Sequence, residues 1–257
     1  MKILLIGDII GNSGVKKVKE VIPEYKEKNN IDFIIANGEN SAEGMGITLK
    51  IFEYLKKNEI DVVTMGNHTW GKKEIFNFLN DEQIVRPANY PKGVPGKGYT
   101  IRNVNGRRIA VINLIGRVDL NILSENPFLK VDEILKEIKD KADIIIVDFH
   151  AEATAEKIAM GYYLDGRVSA VFGTHTHVQT ADETILEKGT AYITDIGMTG
   201  PQKSIIGMDI SASIKRFTTT LPERYKVSDD KNVVLTGCVL ELDDETCRIN
   251  SIKRIKM

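Results

Sequence analysis

Through most of its 257 residues the chain alternates between short runs of branched apolar side chains and longer stretches with apolar positions at helical spacing. The runs KILLIG (2–7), DFIIAN (32–37), DVVTMG (61–66), RIAVINLI (108–115), DIIIVDF (143–149), VSAVFG (168–173) and TAYITD (190–195) are rich in Ile and Val and carry few polar residues. That is the pattern of strands buried on both faces. The intervening stretches 14–28, 48–58, 72–80, 131–140 and 152–163 predict helices. In the first, Val15, Val18, Ile22 and Tyr25 share one helical face, and Pro23 predicts a bend or an early stop. Strands alternating with amphipathic helices predict an α/β fold in which helices flank the sheet.

Two segments depart from the alternation. YTIRNVNGRRIAVINLI places Asn105-Gly106 between two β-rich runs, the strongest short hairpin signal in the chain. NVVLTGCVLELDDETCRINSIKRIK, at 232–256, reads as a second hairpin. Antiparallel strands therefore supplement the parallel ones, giving mixed β-sheets, as one sheet or as two packed sheets. No repeat, low-complexity tract or Gly/Ser/Pro-rich linker divides the sequence, so one domain over 1–257 is expected. Segment 202–230 is polar and weakly periodic; a mobile arm, a lid or an oligomer contact are open for it.

Composition changes this picture little. Hydrophobic residues make up 42% of the chain, enough for a substantial core, and 35 basic against 36 acidic residues leave a net charge of −1. Nothing in that balance favours wrapping RNA or holding an anionic membrane, so any attraction for an anion is local. The opening MKILLIGDII is too short to span a bilayer and reads as a first strand. Cys238 and Cys247 show no CxxC spacing and would not face each other in the C-terminal hairpin, so reduced thiols and a cytoplasmic location are expected.

The polar residues carry the chemistry. Asp8 follows the first apolar run, Glu39 and Asn40 the second, Asn67 and His68 the third, His150 the fifth, and His175 and His177 the sixth. Each lies at the C-terminal end of a predicted strand, the edge at which α/β sheets bind ligands, and all four histidines of the chain obey this rule. Carboxylate, amide oxygen and imidazole without thiolate suit Mn, Fe or Zn in an open site. Asp8, Glu39, Asn40, Asn67, His150, His175 and His177 are more than one ion with open positions can use, and two ions sharing a carboxylate fit the count. Two divalent ions against two carboxylates leave about +2, which would draw a phosphodiester into the site. Residues alternating as they leave a strand point opposite ways, so GTHTH can hand one imidazole to each ion.

GD at 7–8, GEN at 38–40, GNH at 66–68, His150 and GTHTH at 173–177 resemble the ordered motifs of the calcineurin-like metallophosphoesterases. The strings GDIIG, NGENSAEGMGIT, GNHTW, RPANYP, DFHAEAT, GTHTHVQTAD and TDIGMTGP resemble a bacterial branch, the YmdB-like 2′,3′-cyclic-nucleotide 2′-phosphodiesterases, over nearly the whole chain. The resemblance implies a layered metallophosphoesterase sandwich. It implies a dinuclear centre of divalent or mixed-valence transition metals, Fe or Mn before Zn. Asp8, Glu39, Asn40 and His177 would hold one ion; Glu39, Asn67, His150 and His175 the other. It further implies in-line attack on phosphorus by a hydroxide bridging the metals, with His68 as proton donor rather than ligand, on a small cyclic nucleotide.

Three positions depart from the wider superfamily: Ile10 stands where the DxH histidine would be, Glu39 replaces a bridging aspartate, and Thr69 follows His68 in place of an acidic residue. The group that orients His68 is therefore left open. GDIIGNSG lacks the spacing of a nucleotide-binding glycine loop, and Gly11 and Gly14 read as turn residues. Lys16, Lys17, Lys19, Lys26 and Lys28 read as a solvated helix face, and Glu43 and Glu152 as surface or helix-start residues outside the site. The alternatives to a cyclic phosphodiesterase are a broader phosphomonoesterase or nuclease with the same metals, and a metal-binding regulatory or RNA-interaction protein. A homo-oligomer is expected.

Overall fold

A computed structural model of the chain describes residues 1–224 and 226–257. Two mixed sheets form the centre. In the first, the parallel strands β1 (Lys2–Ile6), β3 (Phe33–Asn37), β4 (Val62–Thr64) and β5 (Ile84–Val85) lie side by side. β13 (Val233–Leu242) pairs antiparallel with β1 and with β14 (Ile249–Lys256), which is the C-terminal hairpin expected from sequence. β12 (Met198–Pro201) joins β13 antiparallel and carries β2 (Asp8–Ile9) at the edge. The second sheet runs β10 (Thr184–Ile185), β11 (Ala191–Ile193), β9 (Ala170–Thr174), β8 (Ile144–His150), β7 (Arg107–Ile115) and β6 (Tyr99–Val104), with β7, β8, β9 and β11 parallel. β6 and β7 form the hairpin at Asn105-Gly106, where both residues take positive φ as that turn requires.

Alternation along the strands builds the layers. Ile3, Leu5, Phe33, Ile35 and Val62 of the first sheet meet Ile109, Val111, Ile144, Ile146 and Phe172 of the second in one buried cluster. Their neighbours Leu4, Ile6, Ile34, Ala36 and Val63 face outward onto α1 (Gly11–Asn29) and α2 (Leu49–Lys57). On the far side Ala110, Ile112, Val147, Phe149 and Val171 meet α3 (Pro127–Ile138) and α4 (Thr154–Leu164). The order is helix, sheet, sheet, helix, which is why these strands are apolar on both faces.

Several boundaries differ from the sequence reading. α1 starts at Gly11 and runs unbroken through Pro23, because that residue and Lys19, whose carbonyl loses its partner there, both lie on the solvent face. The 72–80 stretch buries Ile75, Phe78 and Leu79 as its spacing predicts, but through a short 3-10 turn, Lys73–Asn77. α3 begins earlier than expected because Asn126 caps Phe128 N at 2.9 Å and Pro127 occupies the first turn. Within 202–230 lies α5 (Ile210–Thr219), capped by Asp209 through Ala212 N. No helix among the described residues is long and apolar enough to cross a membrane.

Candidate active site

The ends of β1, β3 and β4 from one sheet meet the ends of β8 and β9 from the other, and these loops carry all eight residues singled out from sequence. The approach is close: a Cβ on Gly66, in the loop after β4, would fall 2.4 Å from the His150 ring, so this turn tolerates glycine alone. Asp8, Glu39, Asn40 and His150 are buried, while His68 keeps about a third of its side chain exposed at 33%.

One group centres on His150 Nε2, which lies 2.7 Å from Asn67 Oδ1, 3.0 Å from Glu39 Oε1 and 3.0 Å from His175 Nδ1. Glu39 Oε1 is buried and accepts no hydrogen bond, His150 lying off the line that one needs. Its second oxygen accepts His68 N at 2.7 Å. The His150 tautomer follows from its other nitrogen: the Thr174 hydroxyl gives its one proton to Asp148 Oδ1 at 2.7 Å, so at 2.9 Å it can only accept from His150 Nδ1. In the neutral ring the lone pair is then on Nε2, toward Glu39 and Asn67.

A second group joins Asp8, Asn40 and His177. Asp8 Oδ1 lies 3.6 Å from His177 Nε2, and the Asn40 amide nitrogen sits between them at 3.3 and 3.2 Å. His177 Nδ1 donates to Ile206 O at 2.8 Å, which fixes its lone pair on Nε2. His175 and His177 thus serve different groups, as expected for GTHTH. Asn40 Oδ1 meets His68 Nδ1 at 2.6 Å, supplying the orienting partner that sequence left open.

Electrostatics drives positive charge into this cluster. Burial pushes Asp8 and Glu39 up, but neighbouring imidazoles, His177 for Asp8 and His150 for Glu39, hold both below the ordinary carboxylate range. Burial pushes His150 down, yet the Glu39 and Asp8 charges raise it to about 9. His175 falls to about 3 through burial and the charge on His150. Buried Asp148 rises to about 7. Two carboxylates, an amide oxygen and three imidazole lone pairs, with an orphan Glu39 oxygen and a proton forced onto His150, fit cations. The ligand atoms of Glu39, His150 and His175 all lie within 4.8 Å of one another. Asn40 fits with its amide turned over, so that oxygen faces Asp8 and His177 while nitrogen donates to His68.

The turn that delivers the two histidines is strained. His175 and His177 take φ of 101° and 65°, a region that side chains resist. Thr176 between them is pinned by Asp195 Oδ2, which accepts its backbone N at 3.1 Å and its hydroxyl at 2.7 Å. The same oxygen accepts Lys157 Nζ at 2.7 Å, and Oδ1 accepts Gly197 N at 2.8 Å. Lys157 and Asp195 are buried, a charge pair inside the protein. Sequence reasoning assigned no role to Asp148, Thr174, Lys157 or Asp195; the available signal was charged residues in or beside apolar runs. Glu152, set aside as a surface residue, lies 3.0 Å from His175 Nε2 and lines the cleft, as does Glu43. The cleft has a volume of about 620 Å³ and also takes in Met45, Ile206, Met208 and Arg224.

The chain is similar to known proteins along nearly its whole length. The sequence profile of the YmdB-like protein family matches residues 4–255. A 2′,3′-cyclic-nucleotide 2′-phosphodiesterase of Bacillus subtilis (strain 168) is 54% identical over 256 residues, covering 99% of this chain and 96% of that protein. A crystal structure of a phosphatase from Mycoplasma pneumoniae superposes with a TM-score of 0.94 at 37% identity, covering 100% of this chain and 93% of the other. A candidate 5′-nucleotidase from Staphylococcus aureus, at TM-score 0.63 and 16% identity over 99% of this chain and 54% of that one, shares the fold alone. The layered metallophosphoesterase-type sandwich expected from sequence is the fold observed.

Proposed function

The chain belongs to the YmdB-like protein family, and on that basis we propose that it hydrolyses 2′,3′-cyclic nucleotides to 3′-phosphates at a dinuclear metal centre. The observation that carries this reading is the convergence of lone-pair atoms on two neighbouring points with buried Glu39 at the first. Glu39, Asn67, His150 and His175 would hold one ion. Asp8, Asn40 and His177, with Glu39 shared, would hold the other, all from a single domain over 1–257. The thiolate-free donor set suits Fe, Mn or Zn, and the family resemblance puts Fe or Mn first. Such ions when bound supply an activated water and screen the phosphoryl charge.

The protein's own contribution is to position and to protonate. With the Asn40 amide turned, its nitrogen donates to His68 Nδ1, and the His68 backbone N donates to Glu39, so the residue is held at two points and Nε2 carries the ring proton toward the substrate. The 2′ oxygen leaving phosphorus takes the Nε2 proton, which solvent restores, while the 3′ ester stays intact. Asp8 and Glu39 are buried, so they would hold cations against a low-dielectric wall and bring local positive charge to the phosphodiester.

The test is to load the protein with Mn²⁺ or Fe, supply adenosine 2′,3′-cyclic phosphate and resolve the products. Adenosine 3′-phosphate is expected. His68→Ala should retain metal and lose about 10²- to 10⁴-fold in turnover, whereas His175→Ala should lose metal. No product with both ions bound, or equal metal loss in both variants, overturns the assignment.

A further inference from the structure

We propose that Ile206, Met208 and Met45 form an apolar shelf that binds the nucleobase of the substrate and makes the enzyme selective for nucleotides over base-free cyclic phosphates. This deepens the phosphodiesterase reading above and rests on it.

The first observation is the cleft itself. One wall is polar, built from Glu39, Asn67, His68 and the histidine turn; Met45, Ile206 and Met208 line it too. Met45 is 48% exposed and Ile206 47%, although both are large apolar side chains with a packed interior nearby. Apolar groups left open beside convergent polar ones are how small-molecule sites are made. The space of about 620 Å³ is ample for a nucleotide. Methionine sulfur is polarisable and suits the face or edge of a planar ring.

The second observation is independent and concerns the backbone. Ile205 and Met208 pair N to O in both directions at 2.9 Å, closing a two-residue turn over Ile206 and Gly207 with φ of 48° and 96°. Such a turn calls for Asn-Gly, and a β-branched residue at its first position is strained. The Ile206 carbonyl fixes His177, but any residue at 206 supplies a carbonyl. The isoleucine side chain is therefore not explained by the metal centre or by the fold, which it opposes. Ile206 lines the cleft and is 47% exposed, so its side chain is open to a ligand there. A strained residue kept against local preference marks function.

The same hydrogen bond that fixes His177 couples the turn carrying Ile206 to the histidine turn of the site. Met208 packs against the loop that carries Met45, since a Cβ on Gly44 would come within 2.9 Å of its methyl. The shelf and the histidine turn line one cleft of about 620 Å³, so a nucleoside cyclic phosphate can contact both, whereas a bare sugar phosphate leaves the shelf uncovered. Arg224, exposed to solvent, also lines the cleft and adds a cation to it.

The experiment compares the metal-loaded enzyme on adenosine 2′,3′-cyclic phosphate and on methyl riboside 2′,3′-cyclic phosphate, which has the same reacting ring without a base. The wild type should favour the nucleotide in kcat/KM by about tenfold or more, the scale of one apolar contact in a pocket. Ile206→Asn suits the turn and keeps the carbonyl, so it folds; its Tm should rise while the nucleotide preference falls toward one. Met45→Ser, at an exposed position, should lower the same ratio, and calorimetric affinities for adenosine 3′-phosphate should fall in step. A wild type that turns over both compounds equally, or variants that keep the ratio, overturn the shelf and leave the phosphodiesterase standing. A wild type that turns over neither overturns both.

Discussion

The buried pair Lys157–Asp195 offers the sharpest separation of structural from functional roles. Asp195 holds four donors: Lys157 Nζ, Thr176 N, Thr176 Oγ1 and Gly197 N. Asp195→Asn keeps the shape but removes the charge and replaces one acceptor by a donor. It leaves the Lys157 ammonium buried without a counter-charge, which costs about 3–5 kcal/mol. Two bonds from Thr176 to a charged oxygen, worth about 1.5–3 kcal/mol each, weaken at the same time. Those bonds restrain His175 and His177, whose φ of 101° and 65° cost on the order of 1–3 kcal/mol apiece. The double variant Lys157→Met, Asp195→Asn removes the stranded cation and should recover stability to within about 1–2 kcal/mol of wild type. It does not rebuild the hold on Thr176. Metal affinity should therefore stay about 10- to 100-fold low in both single and double variants, the range found when groups behind a ligand are removed. Urea unfolding at constant m value reads the first quantity, and Mn²⁺ calorimetry the second. If affinity returns with stability in the double variant, the pair only supports the fold and its clamp on the histidine turn is refuted.

Two further outcomes follow from titration. In the metal-free protein His150, at about 9, is protonated below that pH, and a ligand must be neutral, so binding releases a proton. Metal affinity should rise about tenfold per unit between roughly pH 6.5 and 8.5, and a flat profile in a metal-competition assay would show that His150 binds no ion. Burial pushes the Cys238 thiol up to about 12, while Cys247 is half-buried at the end of the β13–β14 turn. Iodoacetamide at pH 8 should alkylate Cys247 in the native protein and Cys238 only after denaturation; equal rates on peptide mapping would contradict the burial of β13.

The strand layout and the polar residues at strand ends were legible along the chain because local physics sets them. A run such as DIIIVDF must be buried on both faces, and the polar residue ending it then falls at a sheet edge, so His150 and its counterparts could be placed without coordinates. Asn105-Gly106 fixed a hairpin for the same local reason. Local pattern does not report how layers face one another. That Glu39 from one sheet meets His150 from the other is decided by packing Ile3 and Phe33 against Ile144 and Phe172. The contact of Asn40 with His68 depends on the course of two separate loops, and the bonds of Asp195 to Lys157, 38 residues away, are invisible to any periodicity. Short strands such as β2 and β12 carry too few residues to show a period and exist because their neighbours need partners. α5 carries Ile210, Ile214 and Phe217 at helical spacing but buries only Ser213 and leaves Ile214 and Phe217 exposed, a short stripe in a polar segment that did not stand out from its surroundings. Chemistry was legible because metal-ligating residue types are few and strand ends are local. Geometry was not, because the distances between those ends are a property of the whole packed core.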